Sequence, residues 1–162
     1  MIRFDIIGDR ETVDRLSRAH GQVQRNVEAT IGRLTLRLLT RVKGDKLSGQ
    51  VLKTRTGRLR RSINRRLEGA GTTSIAGYVG TNVEYARRHE LGFHGTETVR
   101  EHLRLIKQAW GKQLGSPKQV RVQTHSRQVD YPARSFLRTA LREMDAEITA
   151  ELKQATNEGI KR

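Results

Sequence analysis

Residues 51 to 66, VLKTRTGRLRRSINRR, carry seven Lys or Arg side chains and no acid. Unpaired like charges repel one another, so a stretch kept this basic suits phosphates or an acidic partner; the plainer reading is a solvated face. Leu59 and Ile63 stand four apart and fall on one side of a helical turn, and Gly57 after Thr56 suits a tight turn or a helix entry. That leaves Lys53, Arg55, Arg58, Arg60 and Arg61 outside, with Leu59 and Ile63 directed inward. Base-specific reading has no support, because no helix-turn-helix or zinc-finger pattern is present and stacking aromatics are scarce.

The other chemistry-bearing cluster is HELGFH, with His89, Glu90 and His94. Its H-E-x-x-x-H spacing lacks the i, i+4 pairing that sets two imidazoles on one helical face, and Gly92 interrupts it, so metal ligation is disfavoured. Glu90 reads instead as a capping or ion-pairing residue near Arg87 or Arg88, and Tyr85 as a core or interface aromatic. Ser62, His89 and Asp130 are the components of a triad, but a chain of this length supplies such a set by chance. No Gly-rich loop followed by Lys-Ser/Thr is present, so a nucleotide phosphate cradle has no basis, and no cofactor is expected.

The elements that must position these residues are legible in part. MIRFDII alternates Ile2, Phe4 and Ile6 and reads as a short strand ended by Gly8 and Asp9, with Asp9 able to cap a helix after it. From Glu11 to Val42, apolar residues recur at Val13, Leu16, Val23, Val27, Ile31, Leu34, Leu38 and Val42, which predicts a long amphipathic helix. Gly21 and Gly32 inside it mark points for a kink or a close neighbour. KGDKLSGQ should then break it. Residues 61 to 69 and 73 to 81 read as a β-hairpin, and NVEYARRHELGF as a short helix stopped by Gly92.

Residues 96 to 131 hold two copies of V-x-x-H-x-R-x-[I/V], at 99 to 106 and 122 to 129. Two similar strands joined by GKQLGSPKQ would make a long hairpin arm; alternatively, Thr98 with Glu101 is a capping box, and Val99, Leu103 and Ile106 fit one helical face. As strands, Arg100, His102, Arg104, Arg121, His125 and Arg127 share one parity within their own strands and would give the arm a basic face. A last helix is expected to open at Pro132, with Phe136, Leu137, Ala140, Leu141, Met144, Ile148, Leu152 and Ala155 as its apolar stripe.

Composition bounds these readings. At 162 residues the chain has the length of one domain, taken here as residues 1 to 162 with an arm at 96 to 131. The net charge of +15 is uneven: residues 1 to 80 hold 17 basic and 7 acidic side chains, residues 81 to 162 hold 15 and 10. The absence of cysteine excludes disulfides and cysteine-ligated zinc. No apolar leader or span of membrane length is present, so a soluble, unprocessed chain without a membrane partner is expected. With 35% hydrophobic and 4% aromatic residues, the core is thin, and subunit contacts are expected to complete part of the surface.

Three blocks then carry a resemblance: KTRTGRLRRSI, YVGTNVEYARRHELGF and PARSFLRTAL. Their order and spacing resemble those of tailed-phage head-tail joining proteins, also described as minor tail or tail completion proteins. In that family a Thr-Gly-x-Leu-x-x-Ser-Ile block precedes a β-hairpin, a Gly-x-x-x-x-Tyr-Ala-x-x-x-Glu-x-Gly block comes after it, and a Pro-x-Arg-x-Phe-Leu block opens the last helix. Here these are Thr56, Gly57, Leu59, Ser62 and Ile63; Gly80, Tyr85, Ala86, Glu90 and Gly92; and Pro132, Arg134, Phe136 and Leu137. The likeness covers about residues 10 to 155, and residues 96 to 131 are longer than in compact members of that family.

The resemblance implies an α+β fold, with a long N-terminal helix and a C-terminal helix packed on a small antiparallel sheet. It also implies a noncatalytic ring subunit of the virion neck, hexameric in the family, with connector and tail proteins and the passing genomic DNA as partners. Nonspecific nucleic-acid binding through the basic segment 53 to 66 is the alternative expectation, and a small nuclease a distant third.

Overall fold

The computed structural model describes residues 9–161, with the backbone alone described at residue 9, so the strand expected at residues 2–6 and the side-chain cap expected of Asp9 lie outside what is described. The long amphipathic pattern forms helix α1, Asp9–Arg41. Its first turns are exposed on every side, and its second half is drawn inward, with Thr30, Leu34 and Thr35 buried. It runs uninterrupted through both internal glycines, and at Gly32 an added Cβ would sit 3.8 Å from a Leu67 methyl, an ordinary packing distance.

KGDKLSGQ does not break the helix where expected. The winding continues as a π-helical segment, Val42–Gln50, and ends at Gly49, whose φ of 140° no L side chain adopts comfortably. The wider turn rotates Val42, Lys46 and Leu47 into the interior. Buried Lys46 is satisfied there by Glu143 at 2.6 Å and by the Gln50 side-chain oxygen at 3.1 Å, which removes most of the penalty of a buried charge.

Gly57, at φ 71°, opens the five-residue helix α2, Arg58–Ser62, so the helical reading of GRLRRSI holds. The hairpin comes next as β1, Asn64–Glu68, and β2, Ala76–Gly80, antiparallel with Arg66 opposite Tyr78. It is shorter at its outer end than expected, because Arg61 and Ser62 belong to α2. Gly77 lies on α1 against Thr35 and Ile31 with no room for a side chain. Helix α3, Glu84–Leu91, stops at Gly92, which has φ 77°.

Residues 93 to 131 form one long hairpin in two ladders, which decides the strand-or-helix alternative for strand. At its base β3, Phe93–Val99, pairs with β6, His125–Tyr131; beyond a break, β4, His102–Ala109, pairs with β5, Lys112–Val122. The duplicated V-x-x-H motif brackets the break symmetrically: Val99 faces His125, and His102 faces Val122. Each imidazole Nδ1 also lies 2.9 Å from the carbonyl two residues before it.

Two expectations about this arm are corrected. GKQLGSPKQ is not the connection, since all but its first glycine lies in β5. The turn is Trp110–Gly111, with φ of 48° and 77°, the positive pair that a two-residue hairpin turn requires. Gly115 and Pro117 are absorbed in an irregular stretch of β5 opposite Ile106 and Gln108, where an exposed edge strand tolerates Pro. Nor do the basic residues share one face. Arg104 faces Val120 whereas Arg121 faces Leu103, and since directly opposed residues share a face and neighbours alternate, His102 and Arg104 lie on one side of β4–β5 and Arg121 on the other.

The C-terminal stripe forms two helices, not one: α4, Leu137–Glu143, and α5, Asp145–Ile160, bent at buried Met144. Leu141 drops out of the stripe and is 48% exposed. Helix α5 lies along α1 so closely that a Cβ on Gly159 would come 2.7 Å from the Val23 Cα. Arg37 ties the pair by hydrogen bonds to Glu147 and Glu151. The architecture is α+β, with a small core of Val42, Leu47, Ile63, Ala86, Phe136 and Ala140 where the π segment, α2, α3 and α4 converge. Among the described residues no helix is long and apolar enough to cross a membrane.

Candidate functional site

The three motif blocks meet at this core. Helix α4 does not begin at Pro132; the chain stays non-helical through Ser135, where the end of α3 holds it. The Arg134 N–H donates to the His89 carbonyl at 2.7 Å, and the Ser135 hydroxyl to the Glu90 carbonyl at 2.9 Å. The Glu90 carboxylate then accepts the N–H groups of Phe136, Leu137 and Arg138 at 2.8, 3.0 and 2.9 Å. Those are the unpaired donors of a helix start, and a carboxylate there also meets the positive end of the helix dipole. Glu90 therefore caps a helix across space and does not pair with Arg87 or Arg88. Gly92 completes the clamp: a Cβ on it would stand 3.0 Å from the Tyr131 carbonyl and the Ala133 nitrogen.

HELGFH consequently does not converge. Glu90 is turned to α4, His89 stands edge-on to Tyr85 at 6.0 Å, and His94 pairs with Asp130 at 2.8 Å on the arm. Ser62 is hydrogen-bonded to Thr81 and to the Leu59 carbonyl, away from both. Among the described residues no group of three or more His, Asp or Glu is placed to hold a metal ion.

What does converge is the basic stretch. The segment from Val51 to Arg61 folds around a cleft of about 1080 Å³ directly above the core. Its floor is Leu47, Val51, Leu52 and Leu59, side chains that also pack on the core; Tyr85 and His89 of α3 form a wall. The rim holds Lys53, Arg55, Arg58, Arg60 and Arg61, all exposed, and Arg134, exposed too, reaches it from the entry to α4. Among the described residues no Asp or Glu lines the cleft. Thr56 and Gly57 supply its turn, while Ile63 beneath is fully buried and anchors α2.

The cleft is set apart by how many cations it gathers in one place. Some cations elsewhere have acidic partners: Arg15 with Glu11, Arg37 with Glu147 and Glu151, Arg88 and Arg127 with Glu97, Arg121 with Glu101. Among the described residues none of the six rim cations has a carboxylate partner. Six unneutralised charges around an apolar floor make an anion-attracting surface. Sequence reading found five of the six as a run; Arg134 joins them only because the Glu90 clamp brings residue 134 beside α3. Arg65 and Arg66, at the end of the same run, lie instead on β1, where Arg66 pairs with Glu68.

The arm's cations are distributed differently. Arg100, His102, Arg104, Arg121, His125 and Arg127 are all exposed, but Arg121 and Arg127 are ion-paired and the set is split between faces. At the base, Glu97 is hydrogen-bonded to Arg127 at 3.0 Å and to Arg88 at 2.9 Å, which holds its carboxyl below the ordinary Glu range. Sequence reading passed over Trp110, which is wholly exposed at the tip of the turn. Its signal was the W-G pair between two strands.

A helical body with a charged cleft and a two-stranded arm defines an α+β protein. The chain belongs to the phage virion morphogenesis family, whose model matches residues 35–162. It is thus a structural and assembly protein of the phage virion. No curated protein and no solved structure matches it.

Proposed function

We propose that this chain is a noncatalytic subunit of the virion neck that closes into a ring and joins the DNA-filled head to the tail. The observation that carries this reading is the set of six unmatched cations gathered in one cleft, on a protein of a virion morphogenesis family. A ring repeats that cleft once per subunit, six times if the resemblance to head-tail joining proteins extends to stoichiometry, so individually weak contacts add to a strong local potential at the junction. The cleft is then a polyanion-contacting surface, and such contact need not read sequence, since DNA must pass the junction unimpeded.

The arm supports the same reading. Its strands pack extensively only on each other, and a two-stranded ribbon is marginal alone in water. Leu103 is 67% exposed and Trp110 entirely so, surface that contact with an adjacent connector or tail protein would cover. Virion localisation at the head-tail interface is the direct test. Antibody-gold labelling should mark the neck, and the purified protein should form closed rings in negative stain. Label along the tail shaft, or a monomer whose main activity is salt-sensitive binding of free duplex, would replace this proposal with a tail or nucleic-acid-binding role.

A further inference from the structure

The proposed function leaves open whether the cleft receives phosphate or protein. We infer that its occupant is an acidic peptide segment with an apolar side chain at its centre, supplied by a neighbouring virion protein; the inference rests on the reading of the cleft as a junction contact. Shape and composition both point this way. The floor is aliphatic and lies below the rim, so a ligand matched to the whole cleft needs carboxylates at the edge and an apolar group in the middle. Duplex DNA carries its phosphates on the outside of a stiff rod with a persistence length of about 50 nm. It would rest on the rim and leave Leu52 and Leu59 facing water.

The rim chemistry agrees. Five of its six cations are Arg, whose planar fork pairs bidentately with a carboxylate, and none is already engaged by an acid among the described residues. At about 1080 Å³ the cleft is slightly larger than the roughly 300–1,000 Å³ of small-ligand pockets, and it suits a short segment of chain. The arm of a second copy does not fit, because residues 102 to 122 hold five Lys or Arg and no acid.

The test uses the full chain and fluorescence anisotropy with three labelled probes: a short Glu-rich peptide with central Leu residues, the same peptide with Ser in their place, and a duplex oligonucleotide. The Leu peptide should bind about tenfold more tightly than the Ser peptide, as burial of an apolar side chain requires. Unlabelled duplex at equal concentration should leave it bound. The exposed-residue variant R58Q/R60Q/R61Q, and independently K53Q/R55Q in the preceding loop, should each weaken the Leu peptide by about tenfold or more. Circular dichroism checks that both fold.

Equal binding of the two peptides, displacement by duplex, or no peptide binding would each overturn the inference, the second in favour of a DNA-facing cleft. If peptide discrimination fails while R58Q/R60Q/R61Q still blocks head-to-tail joining, the inference falls and the proposed function stands. If the Leu peptide is bound as expected while the variant joins normally, the cleft's assigned role at the junction falls and the peptide specificity stands.

Discussion

The Glu90 carboxylate shows how much one side chain can hold in this protein. It satisfies three backbone donors at the start of α4 and so fixes the approach of Arg134 to the cleft and the burial of Phe136. Glu90→Ala should cost about 1–3 kcal/mol, the range for losing a helix cap and stranding partly buried donors. Glu90→Gln should cost less, because its amide oxygen still accepts. Urea denaturation monitored by circular dichroism measures both; an Ala variant as stable as the wild type would show that water replaces the carboxylate freely. Sequence reading left Glu90 as either a capping or an ion-pairing residue and could not name the helix that it caps. That helix starts 47 residues away, and no local pattern reports so distant a contact. Local chemistry was more legible: Gly57 takes the positive φ that a turn before α2 needs, and Leu59 and Ile63 face inward as their spacing required.

At the scale of elements, the arm was legible as a pair of strands and misread in its connection. Gly and Pro ordinarily mark turns, so GKQLGSPKQ drew the turn toward itself, whereas Trp110 occupies a turn position that bulky residues seldom take. The basic face failed because face-sharing depends on register, and register is a property of the pair, not of either strand. Glu97 links the arm's base to the body through Arg88 and to its own partner strand through Arg127. Hydrogen bonds from Arg127 and then Arg88 depress its folded-state pKa. The linkage is therefore present in full above the pKa of an unfolded Glu and is lost as the pH falls through the lower native value. Amide exchange at residues 93–99 and 125–131 should accelerate, after correction for intrinsic rates, on acidification through that window. Glu97→Gln should show the faster exchange at neutral pH and lose that pH dependence. Protection that is the same in variant and wild type at every pH would show that the arm is held by its ladder alone.

At the scale of the whole molecule, composition was silent about geometry. The excess of positive charge and the thin apolar content raised the expectation of a surface completed by other macromolecules. They did not say that six cations without a carboxylate partner among the described residues would gather around one cleft, since that depends on how the chain folds. The most direct measurement is complementation of a phage lacking this gene product with R58Q/R60Q/R61Q, counting joined and unjoined heads and tails by electron microscopy. A junction role for the cleft predicts a soluble, folded variant with a wild-type melting temperature and an accumulation of separate heads and tails. It also predicts a yield of infectious particles reduced at least about tenfold, since a weakening in each subunit compounds around a ring. Normal numbers of joined, infectious particles would contradict it and return the basic stretch to a solvated face.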